Sequence, residues 1–266
     1  MAERGSRIRR ARWYELPTVT YRRTVLTGTI VTMNAPDSPV HALGLEALRG
    51  TPGWSTAIER LRAAWADGGA VAGDRARAAR THFIGKRGLM VLDVVLSNQR
   101  RYDRRVVPML DRWAARMRQV DGTPTLAWLR DNPGSYDGLG LRRHEPRTIA
   151  EVTSGLLRYG ATHGAVDEDG ACAGWAVGTA GLELAPKIDP YVGSVHGIGP
   201  ALFAYCRLLC GADTIKPDVR VLKQMRTFGV QIPPADAAAG FVVAGAMAQE
   251  VGVSLAELDQ LLWYRE

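Results

Sequence analysis

Residues 195–221 read VHGIGPALFAYCRLLCGADTIKPDVRV, and the fold turns on this stretch. At Gly197-Ile198-Gly199 two glycines flank one aliphatic residue, which lets the chain reverse tightly, and Pro200 suits the first turn of a following helix. Leu202, Tyr205, Cys206 and Leu209 recur at helical spacing, so a helix over about 200–210 buries one face and keeps its N-terminus against the hairpin. Backbone N–H groups at such a terminus suit a phosphate. Gly211 fits the residue after a helix end, and after a short loop Pro217 can open the next helix with Asp218 in its first turn. One carboxylate thus lies near a hairpin able to hold a nucleic-acid backbone.

Upstream, residues 89–99 read LMVLDVVLSNQ, an apolar helix ending in Ser97-Asn98-Gln99, followed by the basic run Arg100-Arg101-Tyr102-Asp103-Arg104-Arg105. These two segments, in this order and separation, resemble the helix-hairpin-helix DNA glycosylase superfamily, to which the endonuclease III-like enzymes belong. That family carries a Leu-Pro-Gly-Val/Ile-Gly hairpin and, one helix later, a catalytic Asp. Here the matching residues are Val195-His196-Gly197-Ile198-Gly199 and Lys216-Pro217-Asp218-Val219-Arg220-Val221. Between them, residues 126–129, 138–143 and an amphipathic helix over 146–159 resemble the family's middle helices, so the likeness covers about 86–225.

The resemblance implies a mainly α, two-lobed fold with the active site in the cleft. A helical bundle at 86–225 would hold the hairpin. An N-terminal segment at 1–85 and C-terminal helices at 226–266 would form the second lobe. It also implies a function: a monofunctional DNA glycosylase that flips and excises an altered or mismatched base from double-stranded DNA, acting as a monomer. In that reading Asp218 is catalytic, since cleaving an N-glycosidic bond builds positive charge on the sugar that a carboxylate stabilises. Gly197, Ile198 and Gly199 anchor the strand through backbone N–H groups, Gln99 enters the stack, and Arg100 and Arg101 neutralise phosphates. Tyr102, Tyr205 and Lys216 are candidates for the base pocket, with Trp128 and Tyr191 as further stacking groups.

Two departures from the family bear on the chemistry. Members that also cut the strand carry a Lys two positions after the second hairpin glycine; here Ala201 stands there and cannot form a Schiff base. Members with an iron–sulfur cluster hold it by four closely spaced cysteines, whereas this chain has only Cys172, Cys206 and Cys210, which read as small core residues. No side-chain metal site or other cofactor is expected. The resemblance does imply a monovalent cation shared by the hairpin carbonyls.

Each site has a plainer reading. Asp218 can simply cap its helix, Gln99 can be an ordinary helix-end residue, and Lys216 can be solvated. Two other functions therefore stay open: an enzyme of the same superfamily that processes hypermodified thymine, and a non-catalytic helix-hairpin-helix module that binds DNA.

Composition agrees with a polyanionic partner. The 266 residues carry a formal charge of +7 and a pI near 9.6, with Arg4, Arg7, Arg9, Arg10, Arg12, Arg22 and Arg23 crowded at the start as a solvated tail or a phosphate-touching arm. No membrane-spanning run and no signal peptide are recognised, so a cytoplasmic place at the bacterial nucleoid is expected. Residues 20–33, rich in β-branched types, can pair as a short hairpin around Gly28, with a loop over 34–39. Helices are expected at 54–66, 74–83, 87–97, 102–119, 173–184, 217–227, 234–250 and 254–263, with a polar loop at 164–174. Ser254 and Glu257 form a capping-box pattern for the last helix.

Overall fold

The structure is a computed structural model that describes residues 44–120 and 122–265. The basic cluster, the β-branched stretch and the loop expected before residue 44 lie outside the described residues. Those described are mainly α-helical, with no strand among them.

One helix sets the arrangement. Arg87–Leu96, which we call α3, has the sequence RGLMVLDVVL and every one of its residues is buried. A helix apolar on all sides is stable only when surrounded, and α3 packs against α4 (Val107–Gln119), α5 (Leu126–Asp131), α6 (Glu145–His163), α7 (Glu168–Gly178) and α8 (Pro200–Leu209). Its two charged residues are both paired. Arg87 donates to Asp169 at 2.6 Å and to the Leu209 carbonyl at 3.0 Å, while Asp93 accepts from two tyrosines described below.

The other elements build a second core. In it α1 (Leu45–Arg49), α2 (Trp54–His82), α9 (Val219–Thr227), α10 (Ala237–Val251) and α11 (Leu255–Tyr264) bury Trp54, Leu61, Leu222, Met225, Phe241, Met247 and Leu258 together. Residues expected as two helices, 54–66 and 74–83, form the single α2. Two of the three intervening glycines face α11: a Cβ on Gly68 would sit 3.2 Å from Leu261 Cδ1, and one on Gly73 3.4 Å from Glu257 Oε1, while one on Gly69 would meet the Trp65 ring of the same helix at 2.6 Å. Tight helix–helix packing thus outweighs the roughly 1 kcal/mol that each glycine costs inside a helix.

The boundaries elsewhere have local causes. The polar stretch expected as a loop at 164–174 instead starts α7 at Glu168, because Asp167 caps it by accepting from Gly170 N at 2.7 Å. Glu168 in turn takes the Leu126 and Ala127 amides, at 2.6 and 2.8 Å, at the start of α5. The helix expected over 102–119 begins with a π-helical turn, Tyr102–Val106, before α4. The Ser254–Glu257 capping box forms as the pattern required. No single described helix is long and apolar enough to cross a membrane; α10 and α11 pass that test only as a pair, are bent by 103°, and line the second core.

Candidate active site and nucleic-acid interface

The hairpin residues are fixed from one side by α6. Thr148 Oγ1 donates to the His196 carbonyl at 3.0 Å, and Gly197, at φ +89°, would bring a Cβ to 3.1 Å from Thr148 Oγ1. Both the left-handed backbone and the close approach require glycine there. Among the described residues nothing approaches a Cβ on Gly199 within 4 Å. Ile198 is buried, and its N–H is spent on the Val195 carbonyl at 3.2 Å, so it plugs the core rather than offering an amide outward. Among the described residues no acceptor is found for the Gly197 and Gly199 amides. The first-turn amides of α8 follow them.

Asp218 is the N-cap of α9 rather than a member of its first turn. Its Oδ1 accepts from the Arg220 and Val221 amides at 2.9 and 3.0 Å. Oδ2 is turned away from that bond pair and stands 3.9 Å from Lys216 Nζ. The Asp218 side chain retains 23% of its exposure.

Lys216 is not solvated. Its side chain keeps 8% of its exposure, its Nζ donates to Ser97 Oγ at 3.1 Å and lies 3.9 Å from the centre of the Tyr205 ring, and Trp263 closes another side at 5.7 Å. The backbone is held as well: Lys216 N donates to Asp259 Oδ1 at 2.9 Å. Burial lowers the Lys216 pKa, opposed by the charges of Asp218, Asp93 and Asp259. Asp93 accepts from Tyr102 Oη at 2.8 Å and Tyr205 Oη at 3.3 Å. Its burial pushes the carboxyl up to about 6 despite the Tyr102 bond and the Lys216 charge. Asp259 is raised to about 7, again by burial, against the Lys216 N–H bond. Both tyrosine hydroxyls are held well above their usual range by burial and by Asp93.

The structure therefore brings Asp218, Lys216, Tyr205 and Tyr102 into one cluster and adds Asp93, Asp259 and Trp263. None of the three additions has a local motif. Asp93 sits inside an apolar run, and Trp263 ends the apolar run Leu261-Leu262-Trp263, yet it stands edge-on to Tyr102 at 6.1 Å and under Arg220 at 4.7 Å. Trp128 and Tyr191 are taken up elsewhere, edge-on to Trp113 and Tyr159.

Gln99 lies two residues beyond Ser97 and is exposed, with φ +51°, a left-handed conformation that a non-glycine residue seldom holds. Arg142 pins the turn by donating to the Asn98 and Gln99 carbonyls at 3.1 and 3.2 Å. Such strain persists where the surroundings over-determine it, and it clusters at functional sites. Gln99 opens a cleft of about 700 Å³ lined by Arg101, Arg104, Arg105, Arg112 and Arg142, with Met109 and Leu139 beneath.

Arg100 has a different place from that expected of a phosphate contact. Its two guanidinium nitrogens hold Glu145 at 2.5 and 2.7 Å, and Glu145 is 1% exposed at the start of α6. Arg100 neutralises a buried carboxylate, and Arg101, Arg104 and Arg105 carry the exposed charge.

Among the described residues no group of three or more His, Cys, Asp or Glu is placed to hold a metal ion. Cys172, Cys206 and Cys210 are buried and free. The carbonyls expected to share a monovalent cation have an ammonium instead: Lys187 Nζ donates to Val195 O and to Ile198 O, each at 2.9 Å. The hairpin residues thus do not fit an ion at those two oxygens. No known protein family, curated protein or solved structure matches the chain.

Proposed function

We propose that this chain is a monofunctional DNA glycosylase that excises an altered or mismatched base, in base-excision repair or in defence against foreign DNA. The observation that carries this reading is the meeting of two features at Ser97–Gln99. Ser97 touches Lys216 beside the half-free carboxylate of Asp218, and Gln99 opens the arginine cleft.

In this mechanism the arginines neutralise phosphates of double-stranded DNA, and the Gly197 and Gly199 amides grip the backbone next to the site. The target nucleotide leaves the stack, at least cost when it is damaged or mispaired. Tyr102, Tyr205 and Trp263 supply aromatic walls for it. As the N-glycosidic bond breaks, Asp218 Oδ2 faces the positive charge growing on the sugar and orients the water that completes hydrolysis. Lys216 positions that oxygen. With Ala201 after the hairpin, the product strand remains uncut.

The test is base release, read by mass spectrometry, from duplexes carrying uracil, hypoxanthine, alkylated purines, oxidised guanine, hypermodified thymine or a mismatch. Release by wild type and not by Asp218→Asn supports the reading and names the substrate class. Tight binding with no release by either protein overturns it in favour of the non-catalytic module. That second reading rests on one observation, the helix cap made by Asp218 Oδ1, which accounts for the residue without chemistry.

A further inference from the structure

The turn that precedes the hairpin is held with unusual completeness. Asp189, 1% exposed, accepts from the Val192 and Gly193 amides at 2.8 and 2.7 Å and from Trp175 Nε1 at 3.2 Å, while its own carbonyl takes Ser194 N at 2.8 Å. Gly193 presses on the 3₁₀ turn Pro186–Ile188 so closely that a Cβ would lie 1.8 Å from the Pro186 carbonyl oxygen. Lys187 rides on that turn. Its stem is exposed, and its Nζ reaches the hairpin carbonyls of Val195 and Ile198, both at 2.9 Å.

Two carbonyl oxygens converging on one point make a small cation site, and an ammonium is a compact charge with three donors. Two donors are used among the described residues, and the third is left for solvent or an arriving anion. Because Lys187 is covalently attached to a turn that is itself locked to the hairpin, the positive charge is supplied without being drawn from solution.

We propose that Lys187 is the built-in cation of the hairpin: its ammonium takes the position that K⁺ or Na⁺ would need in order to bridge the Val195 and Ile198 carbonyls, so the Gly197–Gly199 turn grips a phosphate without a solution ion. The phosphate half of this statement rests on the DNA reading above; the ammonium site does not.

Two measurements on wild type and Lys187→Met separate those halves. The first is the melting temperature without DNA, in potassium chloride and in tetramethylammonium chloride at equal ionic strength. Wild type melts alike in both, whereas Lys187→Met melts lower in tetramethylammonium and recovers in potassium. The second is fluorescence anisotropy with a duplex containing a tetrahydrofuran abasic analogue, in the same two salts. Wild type keeps its Kd within about twofold, and Lys187→Met binds about tenfold more weakly in tetramethylammonium and regains most of the loss in potassium. A wild-type melting temperature or affinity that depends on the cation overturns the proposal, as does a variant that behaves the same in both salts. If the melting pattern holds while wild type binds DNA in neither salt, the DNA reading fails and the ammonium site stands.

Discussion

Asp218 Oδ2 stands 3.9 Å from the Nζ of Lys216, while Asp218 Oδ1 closes the first turn of α9 through two amides. The two oxygens of one carboxylate thus serve separate ends: one holds a helix, and the other faces a buried ammonium. This split lets chemistry and folding be perturbed independently.

Asn caps helices as well as Asp does, but carries no charge. Asp218→Asn is therefore expected to melt close to wild type and to lose base release, whereas Asp218→Ala loses the release and also about 1 kcal/mol of stability. Calorimetry beside single-turnover base release checks both. Full activity in Asp218→Asn removes the residue from the mechanism.

Among the described residues Lys216 is the amine that stands beside this carboxylate, and three carboxylates favour its charged form. Borohydride added to protein and an abasic-site duplex should trap no covalent adduct, and the strand should stay intact until alkali is added. An adduct that disappears in Lys216→Met would make this lysine a nucleophile and the enzyme a strand cutter.

Arg100 and Arg101 are neighbours with opposite fates. Arg100→Ala strands Glu145 as a buried, unpaired charge and should cost about 3–5 kcal/mol in a denaturant titration. Alanine at Arg101, Arg104 or Arg105 should leave stability nearly unchanged and weaken binding to every duplex sequence. The slope of log affinity against log salt should become shallower by about 0.9 for each phosphate that is no longer neutralised.

Two glycines distinguish packing from ligand binding. A Cβ on Gly155 would lie 1.8 Å from the Tyr191 carbonyl oxygen, so Gly155→Ala forces α6 away from that turn and should destabilise the fold by roughly 3 kcal/mol. Among the described residues nothing lies within 4 Å of a Cβ on Gly199. Gly199→Ala should melt like wild type and bind DNA more weakly, because only an arriving backbone would meet the added methyl.

Asp259 supplies a pH dependence. Buried, it holds its proton up to about pH 7, against about pH 4 when the chain unfolds. The folded state binds the extra proton, so its stability falls as pH rises through that window and levels off above it. Asp259→Asn, neutral throughout, should match wild type near pH 4 and exceed it above pH 7, by on the order of 2–4 kcal/mol. Thermal melts across the window test this; a variant equally destabilised at all pH values would show that the carboxylate is not the source.

The local grammar of the chain was largely readable. Pro200 and the spacing of Leu202, Cys206 and Leu209 placed α8, the Ser254–Glu257 pair placed α11, and the apolar run after Arg87 placed α3. These signals act between residues one helical turn apart, where capping bonds and side-chain periodicity are complete in themselves. Where a distant element intervened, the reading failed. Gly68 and Gly73 look like helix breakers until α11 packs on them, and the polar residues after 164 look like a loop until Asp167, Glu168 and Asp169 are seen to cap or brace α7, α5 and Arg87.

By itself, then, the sequence determined a helical chain with a glycine hairpin, the helix after it and an Asp close behind. Only the tertiary structure decided what surrounds them. Lys216 meets Ser97 across 119 positions of chain and Asp259 across 43, Arg100 turns inward to Glu145 across 45, and Lys187 folds back onto the hairpin carbonyls. A charge's role depends on what desolvates and partners it, and those neighbours come together only when the helices pack.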